Sequence, residues 1–305
     1  MTGLEVDIVG LRLRNPTMLA SGILNETGKS MLEVAKAGAG AIVTKSLGIA
    51  ERAGHANPCI AEIDCGLLNA MGLPNPGVKE YVSEIEVAKT GGVPVIGSVF
   101  GGNAKEIADV AITLAAAGVD AIELNLSCPH AKGYGTEIGS TPEMVRAVCD
   151  EVKSRVNTPV FAKLTPNTSS IASLAVAAEE GGADGIVAIN TLKGMTICPE
   201  LKMPVLSNRV GGLSGPAIRS VGVRCVFEIY EAVDIPIIGV GGVSTARDAL
   251  EYLMAGAQAV QIGTAVRSQG TAVFAAVCAG LSDFMSENGY RTVLDMVGVA
   301  HNGGA

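Results

Sequence analysis

A cysteine stands directly after a predicted β-strand, at the beginning of a glycine-rich loop. In the segment Ala121-Ile-Glu-Leu-Asn-Leu126, apolar and polar side chains alternate with the period of a strand. Ser127-Cys128-Pro129-His130 follows, and then Gly133, Gly135 and Gly139. A strand that presents an amide and then a thiol beside a flexible loop is typical of the edge of an active site. A lone cysteine is more often a small buried apolar residue, so the rest of the chain has to decide between these interpretations.

Other apolar runs also end in residues that could bind a ligand. They end in Ala20-Ser-Gly22, Lys45-Ser46, Asn125-Leu-Ser-Cys128, Lys163-Leu-Thr165, Asn190-Thr191, Gly239-Val-Gly-Gly242 and Gly263-Thr264. Each alone is as easily explained as a helix cap or a solvated lysine. Together on one face of a fold, they indicate a binding site.

Two of these strand ends carry a lysine, and three asparagines accompany them. A cation such as Lys163 could stabilise negative charge that develops on a bound ligand, for example on the ring of a reduced flavin. Lys45 would do the same from the opposite side, or would hold an anionic substrate. Asn69, Asn125 and Asn190 offer both donors and acceptors, which suits a planar ligand with alternating C=O and N–H edges.

An internal repeat predicts the fold that positions these residues. Proline precedes an apolar run at Pro16-Thr-Met-Leu-Ala20, Pro94-Val-Ile-Gly97, Pro159-Val-Phe-Ala162 and Pro236-Ile-Ile-Gly239. A helix-ending glycine precedes a strand at Gly38-Ala-Gly-Ala-Ile-Val43, Gly118-Val-Asp-Ala-Ile-Glu123, Gly182-Ala-Asp-Gly-Ile-Val187 and Gly256-Ala-Gln-Ala-Val-Gln261. The two motifs alternate, which gives eight strands, each followed by a helix. We therefore predict an α/β fold in which residues 1–305 form a single (β/α)8 TIM barrel domain.

The segments between these strands complete the predicted architecture. Helices are expected at 104–117, 142–155, 169–180, 217–233, 245–255 and 272–288, with Asn103, Thr141 and Ser244 as N-caps. A short N-terminal β-hairpin, 4–9 and 11–14 around Gly10, is expected to close the barrel floor. Three insertions, at 45–78, 127–140 and 190–216, lie where a strand becomes a helix, so long βα loops are expected over the active site.

Glycines after the last two predicted strands favour an anion. Gly241-Gly242-Val-Ser and Gly263-Thr264 bring backbone N–H groups beside helix N-termini. Loops after strands seven and eight are the recurrent phosphate site of this fold. The Gly38-Ala-Gly40 segment is not a dinucleotide fingerprint, because it closes a helix and precedes a strand.

Composition narrows the class of protein. The net charge is −8 and no cluster of Lys and Arg is present, which argues against a nucleic-acid partner. Neither a membrane span nor a signal peptide is recognisable, so the cytoplasm is the expected location. The 7 cysteines form no CxxC pair and the 3 histidines lie far apart, so no metal site is expected. The six cysteines other than Cys128 are assigned to packing.

Nine short motifs occur in one order along the chain. They are Ala20-Ser-Gly22, Thr44-Lys-Ser46, Leu68-Asn-Ala-Met-Gly-Leu-Pro-Asn-Pro-Gly77, Asn125-Leu-Ser-Cys-Pro129, Lys163-Leu-Thr-Pro-Asn167, Asn190-Thr191, Gly211-Gly-Leu-Ser-Gly-Pro216, Gly239-Val-Gly-Gly-Val243 and Ile262-Gly-Thr264. Together they resemble the class 1 dihydroorotate dehydrogenases over essentially the full chain. The resemblance implies one FMN per chain at the barrel mouth, and oxidation of (S)-dihydroorotate to orotate in pyrimidine (UMP) biosynthesis.

The same resemblance implies roles for individual residues. Cys128 would be the base that removes the C5 proton while C6 gives hydride to the flavin. FMN would be bound by Ser21, Lys45, Ser46, Asn125, Lys163, Ile189, Gly215, Gly241, Gly242, Gly263 and Thr264. The substrate would be held by Lys45, Asn69, Ala70, Met71, Gly72, Leu73, Asn125, Asn190 and Thr191. Cysteine suits the role of base, since its ordinary pKa of about 8.5 needs only modest lowering, and the segment 133–139 could act as a lid.

The family that the motifs resemble has branches that use different electron acceptors. One branch is a homodimer that reduces fumarate, and the NAD-linked (B-type) branch passes electrons to a second subunit with FAD and a [2Fe-2S] cluster. Segments 51–62 and 68–77 look closer to the NAD-linked branch. This chain has neither a cluster motif nor a dinucleotide fingerprint, so NAD chemistry would require that partner, in a heterotetramer on a homodimer core. A membrane quinone is not expected, because the base is cysteine rather than serine and no amphipathic extension precedes the barrel.

Two positions depart from the family's pattern and keep alternatives open. Ser98 and His130 stand where relatives usually or often have asparagine. Ser127-Cys-Pro-His130 also resembles the pyrimidine-reducing domain of dihydropyrimidine dehydrogenase, so a pyrimidine-base reductase is the chemical alternative. A tRNA-modifying flavin barrel is disfavoured by the acidic charge. A non-catalytic flavin- or phosphate-binding scaffold would not need both Cys128 and Lys163.

Overall fold

Eight parallel strands close into a barrel in the computed structural model, which describes residues 3–126 and 138–303. Including those outside the barrel, the described residues form sixteen strands: β1 Val6–Ile8, β2 Leu11–Leu13, β3 Thr17–Leu19, β4 Ala41–Val43, β5 Ile60–Ile63, β6 Gly66–Asn69, β7 Val95–Val99, β8 Ala121–Asn125, β9 Val160–Leu164, β10 Gly185–Ala188, β11 Leu192–Gly194, β12 Ile197–Cys198, β13 Met203–Pro204, β14 Gly211–Ser214, β15 Ile237–Val240 and β16 Ala257–Ile262. The barrel order is β3-β4-β7-β8-β9-β10-β15-β16, and β16 pairs with β3 to close it.

A helix follows every barrel strand, as the repeat predicts. The helices are α1 Gly28–Lys36, α2 Val78–Lys89, α3 Ala104–Ala116, α4 Pro142–Lys153, α5 Ile171–Glu180, α6 Arg219–Tyr230, α7 Ala246–Met254, α8 Ala265–Gln269 and α9 Ala272–Asn288, with 3-10 turns at Pro216–Ile218, Val293–Met296 and Val299–Asn302. The predicted α/β TIM barrel is confirmed. Among the described residues, no helix has the length and apolar character that a membrane crossing needs.

The predicted N-caps are confirmed at two helices and wrong at a third. Asn103 and Thr141 cap α3 and α4 by accepting a backbone N–H. At α7 the cap is Thr245 rather than Ser244. Asp248, at the third helical position, accepts the N–H of Thr245, while the Thr245 hydroxyl accepts the N–H of Asp248. This reciprocal capping box fixes the helix start one residue later than expected.

The N-terminal hairpin is also present. Val6 pairs with Leu13 and Ile8 with Leu11 around Gly10, which has a positive φ of 82°. These four apolar side chains are buried in the main core, whereas Asp7 and Arg12 between them face outward. Because β2 runs almost directly into β3, the hairpin lies at the end where the barrel strands begin, opposite the loops that carry the predicted site.

A second sheet, which was not predicted, joins two of the three insertions. Strands β5 and β6 come from insertion 45–78, and β11 and β14 come from insertion 190–216, in the antiparallel order β11-β14-β6-β5. Leu68, Ala70 and Leu206 form a small core of their own beneath this accessory sheet. Residues of β6 and β14 lie in the wall of a cavity at the barrel mouth, so the sheet covers one side of that mouth.

Candidate active site

A cavity of about 550 Å³ opens where the barrel strands end. This volume is ordinary for a small-molecule or cofactor site. Every residue predicted to bind cofactor or substrate lies in its wall: Ser21, Lys45, Ser46, Asn69, Ala70, Met71, Gly72, Leu73, Asn125, Lys163, Ile189, Asn190, Thr191, Gly215, Gly241, Gly242, Gly263 and Thr264. Cys128 and His130 lie outside the described residues.

A chain of hydrogen bonds runs along the bottom of the cavity. The Ser46 hydroxyl lies 3.2 Å from that of Ser21 and accepts the side-chain amide of Asn125 at 3.1 Å. Asn190 donates in turn to the Asn125 carbonyl oxygen at 3.3 Å. Four strand ends around the barrel are therefore joined by polar side chains, which is the arrangement a planar polar ligand requires.

Ser98 lies behind this chain rather than in the cavity wall. It is fully buried, its hydroxyl is 2.9 Å from that of Ser46, and its N–H donates to the Thr44 hydroxyl. A side chain shorter than asparagine does not reach past Ser46. Ser98 therefore supports Ser46 through this contact and is not among the described residues that line the cavity.

Lys163 is held from below by two buried polar side chains. Its ammonium lies 3.1 Å from Oε1 of Glu123 and 3.1 Å from Oε1 of Gln261. The Gln261 amide also donates to Oε2 of Glu123 at 2.6 Å, so the three groups form a closed ring. The side chains of Lys163 and Glu123 are only 8% and 1% exposed. The cation that the sequence predicts is therefore present, but it is paired with a carboxylate inside the barrel.

Lys45 has an acidic neighbour in the cavity wall. Its ammonium lies 2.5 Å from Oε1 of Glu26, and both residues belong to the wall. Glu26 lies in the loop between β3 and α1, which carries the side chain across to the end of β4. Glu26 could not be predicted from the sequence, because nothing in its spacing connects it with Lys45.

The glycine turns form a narrow groove at the other end of the cavity. Gly215, Gly241 and Gly242 have φ values of 95°, 129° and 74°, in the left-handed region that favours glycine. A Cβ atom on Gly242 would lie 2.7 Å from the Gly215 carbonyl oxygen. Thr264 donates to the Ser214 hydroxyl at 2.8 Å and fixes the adjacent loop. These turns expose backbone without side chains, as an approaching phosphate requires.

The two backbone N–H groups directly before α7 are occupied by a carboxylate of the helix. The N–H groups of Ser244 and Thr245 both donate to Asp248, at 2.9 and 2.8 Å. Asp248 also forms an ion pair with Arg219. In the segment predicted to bind an anion, the Ser244 N–H is therefore already hydrogen-bonded within the protein, and the anion site stays a prediction for the glycine turn at Gly241 and Gly242.

Asn167 lies in the cavity wall with Thr191 and Lys193, and no role was predicted for it from the sequence. Its amide donates to the Thr191 carbonyl oxygen at 3.0 Å, and its Oδ1 accepts the N–H of Lys193 at 2.8 Å. Asn69 of β6 meanwhile donates to the carbonyl oxygen of Gly212 in β14 at 3.2 Å, a side-chain hydrogen bond within the accessory sheet. The motif Lys163-Leu-Thr-Pro-Asn167 was the signal that could have identified Asn167.

The assignment of the remaining cysteines to packing is confirmed for two of them. Cys149 and Cys225 are buried, and burial raises the pKa of their thiols to about 12 and about 11. Cys65 is exposed, so the assignment is wrong there. Cys65 lies in the turn between β5 and β6, a part of the fold that the sequence analysis did not foresee.

Fold and cavity together define a TIM-barrel protein with an active-site cavity at the carboxyl ends of its strands. The sequence profile described as dihydroorotate dehydrogenase matches residues 3–285. The chain belongs to the dihydroorotate dehydrogenase family, as the motifs indicate.

Curated relatives and a solved structure agree with this membership. The chain is 52% identical over 297 residues to a Methanosarcina acetivorans protein named dihydroorotate dehydrogenase B (NAD(+)), catalytic subunit, covering 97% of this chain and 95% of that protein. A protein of the same name from Thermoplasma acidophilum is 50% identical, covering 98% and 99%. The crystal structure of the Eimeria tenella dihydroorotate dehydrogenase with ferulenol superposes with a TM-score of 0.86, covering 98% and 89%. At 22% identity it shows a shared fold.

Proposed function

We propose that this chain is the catalytic subunit of an NAD-linked dihydroorotate dehydrogenase, which oxidises (S)-dihydroorotate to orotate in pyrimidine biosynthesis. The observation that carries the proposal is the convergence of two lysines, three asparagines and the glycine turns on one cavity at the barrel mouth. These residues come from opposite sides of the barrel, and the chain is about half identical to relatives named as such catalytic subunits.

The residues of the wall fit FMN. Gly215, Gly241 and Gly242 present backbone without side chains, and Gly263 and Thr264 line the same cavity at the end of the neighbouring strand. Lys163 and the hydrogen-bonded asparagines supply the polar contacts that an isoalloxazine ring needs. We infer one FMN per chain, with its phosphate at the glycine turns. When bound, it supplies an acceptor for the hydride from C6.

The protein's own residues would orient the substrate and move one proton. Lys45 offers a cation to the substrate carboxylate, while Asn69, Asn125 and Asn190 orient the pyrimidine ring. Cys128, two residues beyond Leu126, takes the proton from C5. Residues 69–73 and the accessory sheet close the cavity from above and limit the access of water to the reacting atoms.

The electron acceptor is the part of the proposal that involves a second protein. We infer that electrons leave through a partner subunit with FAD and a [2Fe-2S] cluster, and that NAD is the final acceptor. Purification from the native host, followed by flavin and iron analysis of the co-eluting chains, tests this inference. FAD and stoichiometric iron on a second chain would support it. FMN alone, with turnover on fumarate, would instead identify the homodimeric alternative.

A pyrimidine-base reductase is a second candidate, since Ser127-Cys-Pro-His130 resembles that enzyme's motif. Dihydroorotate carries a carboxylate and dihydrouracil does not, and Lys45 lies in the wall to receive it. The proposed function therefore predicts turnover of dihydroorotate in strong preference to dihydrouracil. A preference for dihydrouracil would select the alternative.

A further inference from the structure

One carboxylate of the protein lies where the substrate's carboxylate is proposed to bind. Glu26 is in contact with Lys45 at 2.5 Å, and both side chains belong to the cavity wall. Of the described residues that line this cavity, Glu26 alone is acidic, whereas Lys45, Lys163, Lys193 and Arg267 are basic. An internal anion thus meets one cation at a site that attracts an anionic ligand.

The backbone sets the position of Glu26. The preceding residue, Asn25, is fully buried and donates to the carbonyl oxygens of Ala20 and Val43, at 3.2 and 3.1 Å. The buried Tyr81 hydroxyl donates to the Asn25 carbonyl oxygen, and burial raises the pKa of that phenol, which keeps it a donor. The following residue, Thr27, caps α1. With both neighbours fixed, the Glu26 side chain starts from a fixed point beside Lys45.

The side chains of Lys45 and Glu26 differ in their exposure to solvent. The Lys45 side chain is 9% exposed, whereas that of Glu26 is 65% exposed. Lys45 therefore stays in the wall, and Glu26 can turn into solvent at little cost. A ligand carboxylate that reaches Lys45 has to displace Glu26 or share the Lys45 ammonium with it. The lost or weakened ion pair between Lys45 and Glu26 reduces the net free energy of ligand binding.

We propose that Glu26 sets the affinity of the site for anionic pyrimidines by competing with the ligand carboxylate for Lys45. The inference rests on the proposed function, which assigns that carboxylate to Lys45. Its consequence is that orotate, the product, binds more weakly and leaves more readily than it would beside an unopposed lysine. The competition acts on the carboxylate and leaves the binding of an uncharged pyrimidine unchanged.

The substitution Glu26→Gln tests the competition, and Glu62→Gln is its matched control. Glu62 is 71% exposed and pairs with Arg267, another residue of the cavity wall, so both variants remove one negative charge near the mouth. The dissociation constants of orotate, uracil and FMN are measured on each purified protein, the pyrimidines with FMN bound. We expect Glu26→Gln to lower the Kd of orotate about two- to fivefold, since Glu26 is the exposed partner of the ion pair, and to leave those of uracil and FMN unchanged.

A further variant separates direct competition from long-range charge. In a Lys45→Met background, Glu26→Gln is expected to leave orotate binding unchanged, since the contested cation is gone. Equal tightening by Glu62→Gln, persistence of the effect without Lys45, or no tightening by Glu26→Gln would each overturn the proposal. Failure of the parent protein to bind orotate or oxidise dihydroorotate would instead overturn the proposed function.

Discussion

The pairing of Lys163 with Glu123 changes what this lysine can offer a ligand. The sequence predicts a cation at the mouth, and the structure adds a buried carboxylate and an amide that hold it in place. Taking two charges out of water is costly, and the cost is tolerated only when both remain hydrogen-bonded. Glu123 therefore holds the Lys163 ammonium in position, and removing the carboxylate alone takes away this buried, hydrogen-bonded partner.

Replacing Glu123 with leucine is expected to destabilise the protein by about 3–5 kcal/mol, the usual cost of breaking a buried ion pair from one side. The midpoint of denaturant unfolding measures this loss. The double variant Glu123→Leu with Lys163→Met should regain much of it, because no unpaired charge remains. A single variant as stable as the parent would show that the ion pair does not matter for folding.

The buried thiols offer a second test of individual residues. With pKa values of about 12 and about 11, Cys149 and Cys225 remain almost entirely protonated at mildly alkaline pH. Since the thiolate is the reactive form, neither should be alkylated in the folded protein, whereas the exposed Cys65 should be modified readily. Mass spectrometry of peptides after brief alkylation checks this. Rapid labelling of Cys149 without unfolding would contradict the described burial.

A substitution in the glycine turn before α7 tests the proposed binding site for the FMN phosphate. Gly242→Ala puts a Cβ 2.7 Å from the Gly215 carbonyl oxygen, so the groove must deform and FMN affinity should fall about tenfold or more. Gly118→Ala is the matched control, because Gly118 also has a positive φ, 80°, but lies after α3 with open space around it. The control should cost stability and leave flavin affinity intact. Titration of the two apoproteins with FMN measures their affinities for the flavin. Equal losses of affinity in the two variants would contradict the proposed groove.

The barrel was predictable because its signals are local. Apolar runs of strand length, prolines at strand starts and glycines at helix ends recur in register, and each depends only on neighbouring residues. The predicted strand at 121–126 appears as Ala121–Asn125, and the predicted helix at 272–288 appears as Ala272–Asn288. The polar residues at strand ends could be placed on one face for the same reason, because parallel strands share an end.

The accessory sheet was not predictable, because its pairing is long-range. Leu68 of β6 pairs with Leu213 of β14, 145 positions later by subtraction, and β5 to β6 is a short hairpin with half-exposed residues. Neither segment carries an alternation strong enough to stand out. Glu26 was missed for a related reason, since its partner is fixed by the loop path rather than by a strand. Glu123 did carry a signal, because it shares the inward face with Asn125.

Closure of the barrel brings residues from distant parts of the chain to one cavity. The first strand pairs with the last, and the Ala20 N–H donates to the Ile262 carbonyl oxygen at 3.0 Å. This brings Ser21 and Lys45 to the same cavity as Gly263 and Thr264, which are more than 200 positions away in the chain. Under the proposed function, the two lysines and the proposed phosphate groove would then serve one stacked pair of ligands, although no short segment contains them all.

Anaerobic mixing of the purified, FMN-loaded chain with dihydroorotate, without any partner or added acceptor, measures the proposed half-reaction. We expect the visible absorbance of the bound flavin to bleach, with one orotate formed per flavin. Cys128→Ala should retain the flavin and bleach slower by orders of magnitude near neutral pH. Flavin that stays oxidised with dihydroorotate, or a Cys128→Ala protein that bleaches as fast as the parent, would contradict the account.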